Sequence, residues 1–295
     1  WHSNPMVIAK LTGQSMQSII DSSIPQMVVA QFHESYYPNA YPVPLIVEVE
    51  SLSPSISQRD QPIVFFSPSR DRHAYEDRWE TKGKQEVVRL LNTVRNKVAL
   101  DYKLVENIPF DECLKLRCHS DIVIDDIVTG AFHTTALEGL SAGKPTLSYL
   151  DSRTQMVLSR LTGTTDIPII NVRYFEAEDV LVVLAKDKVL REEIGKFSRN
   201  WMIEHYSEKK MVGHYVDGYK KLLDGRRLFN ERYMHDKSAK LWLYNAVPDL
   251  IWKARRSREI SLFNKIKDQK KIVHFIKIYI KMSSKIEKNI IIYGK

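Results

Sequence analysis

The chain has 295 residues, of which 43% are hydrophobic and 27% charged, with a net charge of +8. That is enough to bury a full core in one or two domains. The longest apolar runs fall short of the roughly twenty residues a membrane-spanning helix needs, which excludes such a span, and no signal peptide is visible. The charge is divided: from Gly225 onward 18 Lys and Arg face 6 Asp and Glu, whereas the first 224 residues hold 26 against 30. The body is mildly acidic and the tail strongly basic. Cys113 and Cys118 lie five apart in one predicted helix, on different faces, a spacing that suits neither a zinc site nor a disulfide. They read as thiols of a reducing cytoplasm.

In chain order, the first sixty residues hold two helix-like stretches and a strand, "QMVVAQF". A Pro- and Ser-rich linker with one short strand inside then follows, "YYPNAYPVPLIVEVESLSPSISQRDQP". With the chain opening on Trp1, residues 1–60 read as the end of an N-terminal domain plus a linker. From Pro62 an alternation sets in: "PIVFFS" as strand, Lys82 to Lys97 as helix, "DYKLVE" as strand, Pro109 to His119 as helix, "DIVID" as strand. Thr134 to Ala142 then reads as a helix stopped by Gly143 and Pro145, "PTLSYL" and "IPIINV" as strands, and Glu176 to Leu223 as mostly helical. Strands alternating with longer helices indicate an α/β, Rossmann-like parallel sheet with helices on both faces over residues 61–224. Ligands of such sheets bind at the carboxyl ends of the strands.

Three strand-end segments carry chemistry. In "SPSRDRHAYEDRWETKGK", Arg70 and Lys82 form a candidate diphosphate clamp, an Arg fork with a Lys point charge; on these residues alone a solvated loop is the better reading. "ENIPF" offers backbone amides and an apolar side chain, Ile108, suited to the edge of a base pocket. "GAFHTTALEGLSAGKPTLSYL" opens a helix at Phe132, His133, Thr134 and Thr135, whose amides and hydroxyls suit a phosphate. One turn further in, Glu138 is spaced to accept hydrogen bonds from a ribose diol. For His133 alone a helix cap is the better reading; for Glu138, whose loss is expected to leave the fold intact, the ribose contact is.

The ordered series "SPSR…KGK…LVENIPFDECLKLRCHSDIVIDDIVTGAFHTTALEGLSAGKPTLSYL", with the later "NWMIEHYSEKKMVGHYVDGYKKLL", resembles the donor-binding C-terminal domain of GT-B glycosyltransferases of the glycosyltransferase 4 type. The likeness covers about residues 62–224. It implies that Arg70 and Lys82 face the diphosphate, that the backbone from Phe132 to Thr135 lies against the phosphates, and that Glu138 holds the donor ribose. Many relatives carry a first glutamate, near the transferred sugar, where this chain has Gly130, and His133 replaces a more usual glycine. The resemblance implies a hexosyltransferase-like enzyme that moves a sugar from a nucleotide diphosphate-sugar to a glycan or lipid-linked acceptor. The donor is a substrate and no cofactor is expected. With no Asp-x-Asp motif, and Asp125 and Asp126 adjacent, no metal is expected either. The acceptor's base belongs to the N-terminal domain in such enzymes; neither His33 nor Glu34 is assigned that role, and no catalytic residue is identified.

In residues 225–295, read as a basic helical tail, Lys270, His274, Lys277, Lys281, Lys285 and Lys288 recur every three or four positions among Ile272, Phe275, Ile276, Tyr279 and Ile280. That pattern suits an anionic membrane surface and equally a helix packed on the body. Nucleic acid is disfavoured, since no recognition motif accompanies the basic stripe. The expected location is cytoplasmic, peripheral on the inner face of the membrane if the tail engages it. Two rivals remain: a non-catalytic sugar-nucleotide binding or scaffold protein, and a nucleotide-sugar epimerase of the same architecture.

Overall fold

The computed structural model of the protein describes residues 5–31, 33–37, 40–52, 59, 61–69 and 82–226. Arg70 and all of the tail beyond Arg226 lie outside the described residues. The N-terminal segment comprises α1 (Pro5–Thr12), α2 (Met16–Ile20), β1 (Gln26–Val29), a 3-10 turn at His33–Tyr36 and β2 (Ala40–Val43). β1 and β2 pair in parallel as a two-stranded sheet. Ile19, Val28, Tyr37 and Ala40 form a small core beneath it. The short strand expected inside the Pro-rich linker is therefore β2, at its beginning, while the apolar run that follows is packed without strand pairing.

The main sheet holds β3 (Ile63–Phe66), β4 (Asp101–Leu104), β5 (Ile122–Ile124), β6 (Thr146–Ser148) and β7 (Ile170–Asn171), in the order β4-β3-β5-β6-β7. Every pairing is parallel. The central strands β3, β5 and β6 read as unbroken apolar or small runs because both faces are covered, and Phe65, Phe66, Ile122, Val123, Ile124 and Leu147 are all fully buried. The connecting helices are α3 (Lys84–Arg95), α4 (Phe110–Cys118), α5 (Thr134–Ser141) and α6 (Ser152–Thr162). They are followed by α7 (Ala177–Lys186), α8 (Lys188–His205) and α9 (Glu208–Leu223). The chain moves one way across the sheet from β3 to β4 and the other way from β4 to β5. Right-handed crossovers therefore put α3 on one face and α4 and α5 on the opposite one. α3 packs with α7, and α5 with α4 and α8. The fold class expected from the alternation is the one observed.

α6 has no counterpart among the predicted elements. Its stretch, "SRTQMVLSRLT", is too polar to read as a core helix, yet Asp151 caps it through the Thr154 amide (2.6 Å) and Gly163 closes it at φ +74°. Its buried polar residues explain the miss. Arg153 is 1% exposed because it forms an ion pair with Glu34, itself fully buried, in the turn before β2.

Residues 44–49 run across the body. Val47 and Val49 join Phe132, Leu137, Leu140, Trp201 and Tyr206 in an apolar cluster around α5 and α8. Polar ties secure them: the Tyr206 hydroxyl donates to Leu45 O (3.0 Å) and the Tyr215 hydroxyl to Pro44 O (2.8 Å). Arg199 donates to the carbonyls of both Val49 and Ser141.

Candidate functional site

The strand order reverses direction between β3 and β5. In an open parallel sheet the crevice at such a switch point, outside the carboxyl ends of the strands, is where ligands bind. Three segments converge there: the turn into α3 carrying Lys82, the end of β5 at Asp125, and the start of α5 at His133–Thr135.

Lys82 stands in the left-handed region at φ +59°, followed by Gly83 at φ +65°. This double left-handed turn directs the lysine inward rather than along the surface. Its Nζ lies 2.7 Å from Asp125 Oδ1 and donates to Thr135 Oγ1 at 3.2 Å. The two charged side chains are 5% and 0% exposed. The other carboxylate oxygen, Asp125 Oδ2, accepts the His133 amide at 2.6 Å, and His133 Nδ1 is 3.5 Å from Oδ1. Burial pushes the Asp125 carboxyl up, but the Lys82 ammonium and His133 outweigh it and hold it below the usual carboxylate range. It is an ionised buried carboxylate.

His133 occupies the N-cap position of α5 without a side-chain cap hydrogen bond, so the cap expected of its ring is not formed. Its amide is committed to Asp125. Helix geometry leaves the Thr134 and Thr135 amides without an intrahelical acceptor. Thr134 is exposed and Thr135 buried. Phe132 is buried in the core, and its carbonyl accepts from Gln31 Nε2 at 2.7 Å.

Behind this turn the loop after β5 is pinned throughout. Asp126 Oδ1 accepts the Val128 and Thr129 amides, each at 2.9 Å, and the Ser148 hydroxyl lies 2.9 Å from the carbonyls of both Asp126 and Ala131. Gly130 stands at φ +91°, and a Cβ there would meet Tyr149 Cε1 at 3.3 Å. Its carbonyl accepts from Asp151 N and Thr154 Oγ1. An acidic side chain at position 130 would thus require a different backbone as well as a different residue.

Glu138 is where the helix spacing puts it, one turn into α5, but it is buried and forms an ion pair with Arg117 of α4. The Arg117 guanidinium stacks 4.9 Å from the Phe65 ring centroid and reaches Cys113 Sγ at 3.4 Å. Arg117 did not emerge from the sequence, where it is one basic residue in the last turn of a charged helix. Its burial is the signal, and burial is a tertiary property.

Ile108 is half-buried at the far edge. It lines an open groove of about 530 Å³ beside β4 together with Tyr102, Leu104, Val105, Glu106 and Leu116. Asn107 just before it takes φ +55°, which turns the chain at the carboxyl end of β4. The structure thus brings Lys82, His133, Thr134 and Thr135 together around Asp125. It places Gly130 and Phe132 in the wall behind them, Glu138 inside the packing, and Ile108 at a neighbouring groove. Among the described residues no group of His, Cys, Asp and Glu could hold a metal ion, and no helix is long and apolar enough to cross a membrane.

No protein-family model matches the chain, and no curated protein matches it. In fold it is similar to solved structures of glycosyltransferases. One is a Staphylococcus aureus TarM variant in complex with fondaparinux, alpha-GlcNAc-glycerol and UDP, at a TM-score of 0.45 and 12% identity, over 61% of this chain and 39% of that one. Another is a glycosyltransferase from Rickettsia africae, at a TM-score of 0.44 and 15% identity, over 62% of this chain and 57% of that one. The chain therefore spans about two fifths to three fifths of the proteins it is similar to. At these identities and TM-scores the likenesses assign no reaction, ligand or partner to it.

Proposed function

We propose that the β3–β7 sheet with its helices is the donor half of a GT-B glycosyltransferase, which binds a nucleotide diphosphate-sugar and passes the sugar to a glycan or lipid-linked acceptor. The observation that carries this reading is the convergence of a buried lysine, the start of α5 and the Thr134–Thr135 pair at the switch point between β3 and β5. A cation and free helix amides are what a diphosphate needs, and together they would stabilise it as a leaving group without a metal. The groove at Ile108, on the β4 side, is the proposed seat of the base. Arg70, outside the described residues, is proposed as the second cation of the clamp. The donor is a substrate, with no resident cofactor.

Lys82→Ala is expected to weaken nucleoside diphosphates by roughly tenfold to over a hundredfold, the equivalent of about 1.5–3 kcal/mol, and the bare nucleoside far less. Asp125, left as an uncompensated carboxylate, adds repulsion to the lost contact. Calorimetry with UDP, GDP and ADP and the matching nucleosides measures it. Equal losses for both ligand classes would remove Lys82 from the clamp.

A second reading, a sugar-nucleotide binding or scaffold protein without turnover, is favoured by the Gly130 backbone, which leaves no place for the acid that relatives carry near the sugar. Release of nucleoside diphosphate from a panel of nucleotide sugars separates the two.

The tail, with its surplus of basic residues, is proposed to bring the enzyme to an anionic cytoplasmic membrane face. Truncation after Leu223 is expected to abolish co-sedimentation with anionic vesicles while sparing nucleotide affinity. Each Lys or Arg near such a surface contributes about 1 kcal/mol, and insertion of the apolar residues is not screened by salt. Equal sedimentation of both chains, or none by the full chain, would refute the membrane role.

A further inference from the structure

We propose that Asp125 is the positioning residue of this site: its buried carboxylate keeps the Lys82 ammonium charged and fixes it beside the first turn of α5. What Lys82 then holds, a diphosphate, rests on the reading above; that Asp125 governs Lys82 rests on geometry alone.

A lysine with 5% of its side chain exposed loses most of its hydration, so the buried ammonium needs an anion against it. Among the described residues the groups facing Lys82 are few. The end of β5 contributes Asp125, at 2.7 Å. The start of α5 contributes the Thr135 hydroxyl, at 3.2 Å, and the His133 ring, which shares Asp125 with the lysine. Among the described residues Asp125 is the one carboxylate that faces it. Among the described residues Asp125 and Thr135 take two of the three ammonium hydrogens, which leaves the third for a ligand in this proposal.

The same carboxylate does a second thing. By accepting the His133 amide at 2.6 Å it ties the first residue of α5 to the end of β5, so one side chain sets the spacing between the cation and the helix start. Both are parts of the proposed anion site, and a shift of either would separate them. Asp125 is well suited to this because it stays ionised despite full burial, held so by the partners it positions. Its neighbour Asp126 has a different task, capping the loop through Val128 and Thr129. The adjacent acids are therefore not a metal pair: one faces the site and the other the loop.

The test compares Asp125→Asn with the parent chain by NMR titration of lysine side-chain 13Cε resonances, with Lys82 assigned by its loss in Lys82→Met. The Lys82 midpoint should fall by about one pH unit or more in the variant. In the same variant the affinity for UDP, GDP or ADP, whichever the parent binds, should decline with rising pH above the new midpoint, by up to about tenfold per pH unit. The parent should hold its affinity over that range. A residue that merely supports packing would lower stability without moving either profile.

An unchanged Lys82 midpoint in Asp125→Asn overturns the proposal. A lowered midpoint, in a protein whose parent form binds none of the three nucleotides, upholds the positioning role and instead removes the donor-site reading. Should Asp125→Asn fail to fold, Asp125→Asn/Lys82→Met decides, because its pair is neutral. Recovery of the folded state in the double variant shows that the charge pairing was what Asp125 supplied, and continued failure shows a packing role and overturns the proposal.

Discussion

Glu138→Ala is expected to lower the thermal midpoint by about 6–20 °C. Removing one partner of a buried ion pair leaves the other as an uncompensated buried charge, which costs about 3–5 kcal/mol. Each kcal/mol moves the midpoint of a domain of this size by about 2–4 °C. The side chains of Arg117 and Glu138 are 4% and 7% exposed, so water cannot take over the role of the missing partner. Phe65 offers Arg117 only the face of its ring. Arg117→Ala should cost as much, whereas Arg117→Met/Glu138→Leu, which removes both charges and keeps the volume, should come back close to the parent. Thermal denaturation followed by circular dichroism checks the set, and a loss of less than 2 °C in both single variants would contradict the pairing. The expectation that Glu138 can be truncated without harm to the fold is thereby reversed. Whether Glu138 also contacts a ribose is best measured in Glu138→Gln, which keeps the shape, alongside the double variant.

Gly195→Ala is expected to destabilise by about 3 kcal/mol, the upper end of what overpacking costs, because the obstacle is main chain and cannot swing aside. A Cβ at Gly195 of α8 would lie 2.1 Å from the Gly143 carbonyl oxygen and 3.0 Å from its carbon. Gly143 closes α5 at φ +68° and leads directly into β6. Any retreat of this turn would drag the end of α5 with it, and with it the helix whose first turn meets Lys82 and Asp125. Gly213→Ala in α9 is the control. No atom lies within 4 Å of a Cβ there, so the substitution should stabilise by about 0.5–1 kcal/mol through the better helix propensity of alanine. Urea unfolding of the two variants measures both, and similar midpoints would refute the close approach of α8 to Gly143.

The alternation of strands and helices was legible in the sequence because parallel strands covered on both faces must be continuously apolar, as "IVFF" and "IVI" are. The limits of α5 were legible too, since Gly143 and Pro145 act on their own backbone and need no distant partner. α6 was not, although Asp151 and Gly163 stood at its ends, because Arg153 and Thr154 look like solvent-facing residues until Glu34 and Gln31 are brought against them.

The functional positions divide along the same line. Spacing placed Glu138 one turn into α5, but only the packing of α4 against α5 decided that it meets Arg117. Lys82 was recognisable as a cation near a strand end; that it is buried, and buried on Asp125 43 positions away, followed from β3 and β5 becoming neighbours. Gly130 could be seen to differ from the family the sequence resembles, yet the reason a side chain is strained there lies in φ +91° and the Tyr149 ring. Periodicity and chain punctuation act within a few residues, so the sequence by itself determined where strands and helices form. Charge compensation and steric exclusion act between whichever residues the strand order brings together, and those only the tertiary structure decided.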